Sequence, residues 1–240
     1  MFDQPALGPE LDRIGVVGGT FDPPHYAHLV LAENGLVQLR LDCVLFVPAG
    51  RPPHKPDEPI TPVCHRLAML EVALTGREAF ALSDVDVDRR GPHYTVDMLR
   101  ILHQRYPGGS LCFLMGGDSL AEFETWRDPA GILEQAHLGV MQRPGSEADL
   151  SSLEERLRGI SERLAWLDAP HLEISGTDLR RRVSQGLPIR YLLPPGVEAY
   201  IGRHALYASE EGQVSRLRAR RGHAEGMNEV AASRSWSEPE

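Results

Sequence analysis

The chain predicts an α/β fold, a doubly wound parallel sheet with helices on both faces in a single domain. Three observations lead there. Short apolar runs such as Ile14-Gly15-Val16-Val17, Cys43-Val44-Leu45-Phe46-Val47 and Leu111-Cys112-Phe113-Leu114-Met115 read as buried strands. Stretches of helical spacing stand between them, which is the alternation of a parallel sheet covered on both sides. Glycine- and proline-marked loops follow the strands, at the edge where such sheets bind ligands.

Taken in order, residues 1–11 form a flexible leader, and a strand at 13–18 and a helix at 26–39 follow. After the strand at 43–47 comes a loop from Pro48 to Pro59, then a helix over 62–75 with Leu67, Leu70 and Leu74 on one face. Ala79-Phe80-Ala81-Leu82 is a short strand ahead of an acidic segment, Asp84 to Asp88, and Thr95 opens a helix reaching Arg105. The strand at 111–115 runs through Gly116-Gly117-Asp118 into another helical stretch, and His137-Leu138-Gly139-Val140-Met141 is a further strand. An amphipathic helix is expected over 149–165, a short strand at Leu172-Glu173-Ile174, and helices at 177–185 and 195–203. From Ala208 the composition turns to Ser, Glu, Arg, Gly and Ala, so 208–240 reads as a low-complexity, disordered tail.

A chain of 240 residues suits one sizeable domain, here 12–207, with appendages. Its formal charge of −9 argues against a general nucleic-acid surface, but not against a polyanionic small substrate met by local groups in a cleft. Three scattered cysteines build no disulfide framework, and no apolar run approaches membrane-spanning length. The expectations are a cytoplasmic protein with no nucleic-acid and no membrane partner. A homo-oligomer is compatible with the sequence but not specified by it.

The chemistry concentrates in Gly18-Gly19-Thr20-Phe21-Asp22-Pro23-Pro24-His25-Tyr26-Ala27-His28. Strand, glycine turn and helix place backbone N–H groups and a helix N-terminus against a phosphate. His25 and His28, three apart, share a face of the first helical turn, where two imidazoles could donate to phosphate oxygens. A glycine turn or a histidine pair alone is common; the joint pattern is far more specific. A second element, Ile174-Ser175-Gly176-Thr177-Asp178-Leu179-Arg180, has two readings. Ser175 or Thr177 could simply cap a helix, or hydroxyls, helix N–H groups and Arg180 could converge on a triphosphate.

The first element resembles the phosphate-binding signature of the nucleotidyltransferase superfamily, with Ala27 where a glycine is common, and the second resembles its I-S-x-T-x-x-R motif. From Arg13 to Tyr207 the chain is similar to bacterial nicotinate-mononucleotide adenylyltransferases. The similarity includes Pro52-Pro53-His54-Lys55, His65-Arg66-Leu67-Ala68-Met69-Leu70, His93-Tyr94-Thr95-Val96-Asp97, Gly116-Gly117-Asp118-Ser119, Thr125-Trp126, Arg143-Pro144-Gly145 and Tyr191-Leu192-Leu193-Pro194-Pro195. The resemblance implies a Rossmann-like sheet and a reaction between ATP and nicotinate mononucleotide, with Mg2+ arriving on the ATP phosphates. It assigns catalysis to His25, His28 and Arg180. ATP would be held by Gly18, Gly19, Thr20, Phe21, both histidines, Gly116, Asp118, Ser175, Thr177 and Arg180. Within that set Ser175, Thr177 and Arg180 would grip the β- and γ-phosphates, and Gly116 and Asp118 would meet the ribose. His54, Lys55 and Arg143 would hold the mononucleotide phosphate, Trp126 would stack on the pyridine ring, and Thr95 would offer backbone groups to its carboxylate.

Arg127 departs from the family pattern, which often has a second aromatic after the tryptophan. Either it faces solvent, or it sharpens the choice of acid over amide. An adenylyltransferase for phosphopantetheine or flavin mononucleotide is the nearest rival, opposed by His54-Lys55, Tyr94-Thr95 and Thr125-Trp126. A class I aminoacyl-tRNA synthetase would need a K-M-S-K-S element, which is not present. A dinucleotide-binding oxidoreductase would need G-x-G-x-x-G, and Gly15-Val16-Val17-Gly18-Gly19 lacks that spacing. A nucleotide-binding regulator without catalysis would bind ATP and release no pyrophosphate.

Overall fold

The computed structural model describes residues 11–50, 59–87, 89–141, 150–170 and 172–209. Six strands, β1 (Arg13–Gly19), β2 (Cys43–Pro48), β3 (Phe80–Leu82), β4 (Ser110–Gly116), β5 (Ala136–Met141) and β6 (Leu164–Leu167), form one sheet in the order β3-β2-β1-β4-β5-β6. Every pairing is parallel, with Gly18 opposite Val47 and Val16 opposite Phe113 in register. Parallel neighbours need crossovers, and the helices supply them: α1 (Tyr26–Gln38), α2 (Val63–Leu74), α3 (Thr95–Arg105), α4 (Gly117–Ala121), α5 (Pro129–Gln135), α6 (Leu150–Arg156) and α7 (Ile160–Arg163). Two more, α8 (Gly176–Ser184) and α9 (Pro195–Arg203), follow the last strand.

Strand order reverses between β1 and β4, so the carboxyl ends of these two neighbours open a crevice where the chain departs in opposite directions. The central strands are apolar on both faces because both faces are covered; β2 is buried along its whole length. One core layer joins Val16, Phe113 and Leu138 to Leu99 and Leu102 of α3 and Ile132 of α5. The opposite layer joins Val17, Phe46 and Leu114 to Leu31 and Leu36 of α1 and Leu70 of α2. A third cluster sits beside these, where Leu179 and Val183 of α8 and Val197 and Ile201 of α9 close on Met69 of α2. It carries the second motif back to the first helix layer.

Cys43 and Cys112 lie buried in β2 and β4, where burial pushes both thiols up to about 12, in keeping with small apolar residues. Among the described residues no helix is long and apolar enough to cross a membrane.

Two expectations need correction. The single helix over 149–165 is instead two short helices separated at Gly159 (φ 85), and its end, Leu164–Leu167, is the edge strand β6. Leu172-Glu173-Ile174 is no strand; Leu172, Glu173 and Ile174 lead irregularly into α8. An edge strand has one paired side and here only Leu167 is buried, so the apolar signal that marks the inner strands is weak in it.

Candidate active site

The β1 strand ends in Gly18-Gly19, and the chain then turns sharply at Phe21, a buried residue with φ 51. That left-handed conformation tucks the Phe21 ring beneath Gly19, where a Cβ would come within 3.3 Å of its Cζ. The ring meets the edge of His28 at 4.9 Å between centroids. His25 caps α1 in an extended conformation, and its backbone N–H donates to His28 Nδ1 over 3.2 Å. The two imidazoles stack at 3.8 Å. Burial lowers His25 to about 4, and burial together with the neighbouring His25 holds His28 well below the ordinary imidazole range. Both rings are therefore neutral near pH 7. Because His28 Nδ1 accepts a hydrogen bond, its proton sits on Nε2, leaving that nitrogen a donor.

The second motif reaches the same turn. Ser175 caps α8 by accepting the Asp178 N–H at 3.1 Å, so the capping role raised by the sequence is filled. Arg180 Nη1 donates to the Asp22 carbonyl at 2.7 Å, and its Nη2 lies 3.4 Å from Thr177 Oγ1. Gly176 is pressed on the same peptide: a Cβ there would lie 2.9 Å from the Asp22 carbonyl oxygen. Residues 158 apart in sequence thus share one junction.

Asp22 is the node of that junction. Its carboxylate accepts from the Thr61 N–H at 3.1 Å and from the Tyr207 hydroxyl at 2.5 Å. Burial and the adjoining Asp22 carboxylate both push the Tyr207 phenol up, so it stays a donor. Nearby, the Tyr26 N–H donates to the Leu192 carbonyl at 3.2 Å.

Beside the junction lies a cleft of about 210 Å³, lined by Gly18, Gly19 and Thr20 on one side and by Thr95, Trp126 and Arg127 on another. Trp126 is half-buried, T-shaped to Phe113 at 6.0 Å and tilted against Phe123 at 5.6 Å, so packing holds a ring that also borders the cleft. Thr95 is the first residue of α3, whose start carries no side-chain cap, and the Arg127 guanidinium lies over the Tyr94 ring at 5.7 Å. Gly116 ends β4 with open space where a Cβ would be, and Asp118 is exposed in the first turn of α4. The neighbouring Ser119 lines the cleft, whereas Gly116 and Asp118 lie outside that lining. His54, Lys55 and Arg143 fall outside the described residues.

Sequence reasoning gave no role to three groups that organise this region. Asp22 sat inside the first motif without an assignment, and Tyr207 was only the end of the similar stretch. The acidic segment at 84–88 hides a buried carboxylate, Asp86, paired with the half-buried Arg89 through its Nε at 2.7 Å. Burial raises the Asp86 carboxyl and Arg89 opposes that shift. Arg89 also donates to the Pro92 and Tyr94 carbonyls, and His93 Nε2 meets the Arg89 carbonyl at 3.0 Å, so the cluster anchors the approach to α3. Nothing in spacing singles out one aspartate of the three as a buried partner. Among the described residues no group of three His, Cys, Asp or Glu side chains is placed to hold a metal ion.

Residues 16–182 match the family model described as cytidylyltransferase-like. The chain is similar to the "Probable nicotinate-nucleotide adenylyltransferase" of Thermomicrobium roseum, 48% identical over 210 residues that cover 88% of this chain and 98% of that one. It is similar to the protein of the same name from a Roseiflexus species, 46% identical over 194 residues, covering 81% and 97%. Among solved structures, the fold is like that of Plasmodium falciparum nicotinic acid mononucleotide adenylyltransferase complexed with NaAD. The TM-score is 0.67 at 19% identity, covering 82% of this chain and 97% of that one, a likeness of fold.

Proposed function

The chain belongs to the nicotinate-nucleotide adenylyltransferases of the cytidylyltransferase-like family, and from that membership we infer its reaction. It transfers the adenylyl group of ATP to nicotinate mononucleotide, giving nicotinic acid adenine dinucleotide and pyrophosphate, a step of NAD biosynthesis. A phosphate oxygen of the mononucleotide forms a bond to the α-phosphorus as the bond to the bridging oxygen of pyrophosphate breaks. The nucleophile is already an anion, so alignment and stabilisation of charge on phosphate oxygens are what the protein must supply.

The observation that carries this reading is the junction of the two motifs at Asp22, with an open cleft beside it. Neutral His28 would donate from Nε2 to an α-phosphate oxygen, and His25 would back it. Arg180, anchored through Nη1, would meet the β- and γ-phosphates together with Thr177 and the α8 N-terminus. The Ser175 hydroxyl can still donate while it caps the helix. Gly116 and Asp118 would take the ribose, and Trp126 and Thr95 the pyridine and its carboxylate. His54, Lys55 and Arg143 are assigned to the mononucleotide phosphate on family grounds alone. The donors gathered at the junction beside the cleft are the His25 and His28 imidazoles, the Arg180 guanidinium and the N–H groups of the α8 start, which suit a triphosphate bringing its own magnesium as part of the substrate.

Incubation with ATP, magnesium and each candidate mononucleotide tests the reading. Nicotinic acid adenine dinucleotide should form fastest, with equimolar pyrophosphate, and His28→Ala should lose about 100-fold or more in turnover with its circular dichroism unchanged. ATP binding without pyrophosphate release would instead make the protein a regulator. For the choice of acid over amide we assign Arg127, which borders the cleft on the wall that carries Thr95. Arg127→Ala should lower the ratio of kcat/KM for the acid over the amide mononucleotide; an unchanged ratio removes that role.

A further inference from the structure

Arg66 is the largest fully buried side chain of the described residues, at 1% exposure in α2. A guanidinium so placed needs partners for all its N–H groups. Its Nε donates to the Thr61 carbonyl at 2.9 Å, Nη1 to those of Thr20 and Ala49, each at 2.8 Å, and Nη2 to that of Gly50 at 3.1 Å. These carbonyls belong to three separate segments: the turn after β1, the loop after β2, and the approach to α2. All three converge beside the cleft, which both Thr20 and Ala49 line.

Peptide planarity gives this convergence a direction. In a trans peptide the C=O and the following N–H point opposite ways. By drawing the Thr20 and Ala49 carbonyls inward, Arg66 turns the N–H groups of Phe21 and Gly50 away from itself. Neither N–H has an acceptor among the described residues. The Gly50 peptide is also wedged from the far side, since a Cβ there would lie 2.8 Å from the Asp86 carbonyl oxygen and 3.0 Å from His93 Cε1.

We propose that Arg66 is a positioning residue, fixing the peptide planes of two loops so that their N–H groups are presented to the anionic oxygens of both substrates. It touches neither substrate. The proposal rests on the adenylyl-transfer reading and deepens it by naming what holds the phosphate-facing backbone in register. Lysine cannot replace it: one compact ammonium with three donors does not span four carbonyls held in a planar fork.

Arg66→Lys and Arg66→Gln are to be compared with Leu102→Ala, a destabilised control in a fully buried position near the far end of α3. Both Arg66 variants should raise KM for ATP and for the mononucleotide together, with kcat falling less, for a total loss in kcat/KM of about 10- to 100-fold. Leu102→Ala should lower the thermal midpoint at least as much, yet keep both KM values when assayed below that midpoint. Unchanged kinetics in both Arg66 variants overturn the proposal. So does an equal loss in Leu102→Ala, or failure of both Arg66 variants to fold, either of which leaves Arg66 a folding residue only. Calorimetric titration with ATP separates the two levels of inference: if wild type binds ATP without turnover, the reaction assigned is at fault, and ATP affinity kept in Arg66→Lys still overturns the positioning role.

Discussion

His25 links the chemistry of the site to the stability of the fold. The folded protein holds this buried imidazole at about 4 against an ordinary 6.5, so between those values the unfolded chain binds a proton that the native state does not. Its contribution to stability is full above about pH 6.5 and is lost as pH falls toward 4, about 2 kcal/mol of it by pH 5. Denaturant unfolding of wild type and His25→Asn at pH 7 and pH 5 checks the sign. Asn is a good helix cap, so the variant should keep α1 and lose less stability between the two conditions. An equal loss in both proteins would assign the acid sensitivity elsewhere. The histidine pair was legible because it recurs at helical spacing after a glycine turn. The depressed proton affinity was not, since it comes from burial of the His25 ring, which only the packed fold supplies.

At the scale of elements, the start of α8 is pressed closely against the turn after β1. Gly176 stands where any side chain would push the helix off the Asp22 peptide. Ala is the better helix former by about 1 kcal/mol, so Gly176→Ala sets local propensity against assembly of the site. We expect kcat/KM for ATP to fall about tenfold or more in Gly176→Ala, with little change in thermal midpoint. Activity at the wild-type level would mean that the Arg180–Asp22 bond tolerates the shift. The boundaries of α3 and α9 follow their proline signals, Pro107 just beyond the end of the first and Pro195 at the start of the second, and those sequence expectations coincide with the structure. The edge strand β6 escaped because Leu164-Ala165-Trp166-Leu167 continues the apolar spacing of the helices before it. What assigns it to the sheet is pairing with Leu138–Met141, a long-range fact with no local mark.

For the whole molecule, the alternation of strands and helices was enough to foresee a parallel sheet, because each apolar run needs cover on two faces and the intervening helices provide it. The order of the strands, and with it the crevice between β1 and β4, came only from coordinates. So did the return of α8 and α9 to α2, since their apolar stripes are compatible with any exposed apolar surface. That return has a consequence for how the protein is made. Tyr207, among the last of the described residues, is bonded to Asp22, among the first, and Leu192 is bonded to Tyr26. A nascent chain still held in the ribosome short of Tyr207 has every strand of its sheet available for pairing, but not the bond that closes on its own beginning. The junction at Asp22 is therefore completed only after every strand of the sheet has been made, after the scaffold rather than with it.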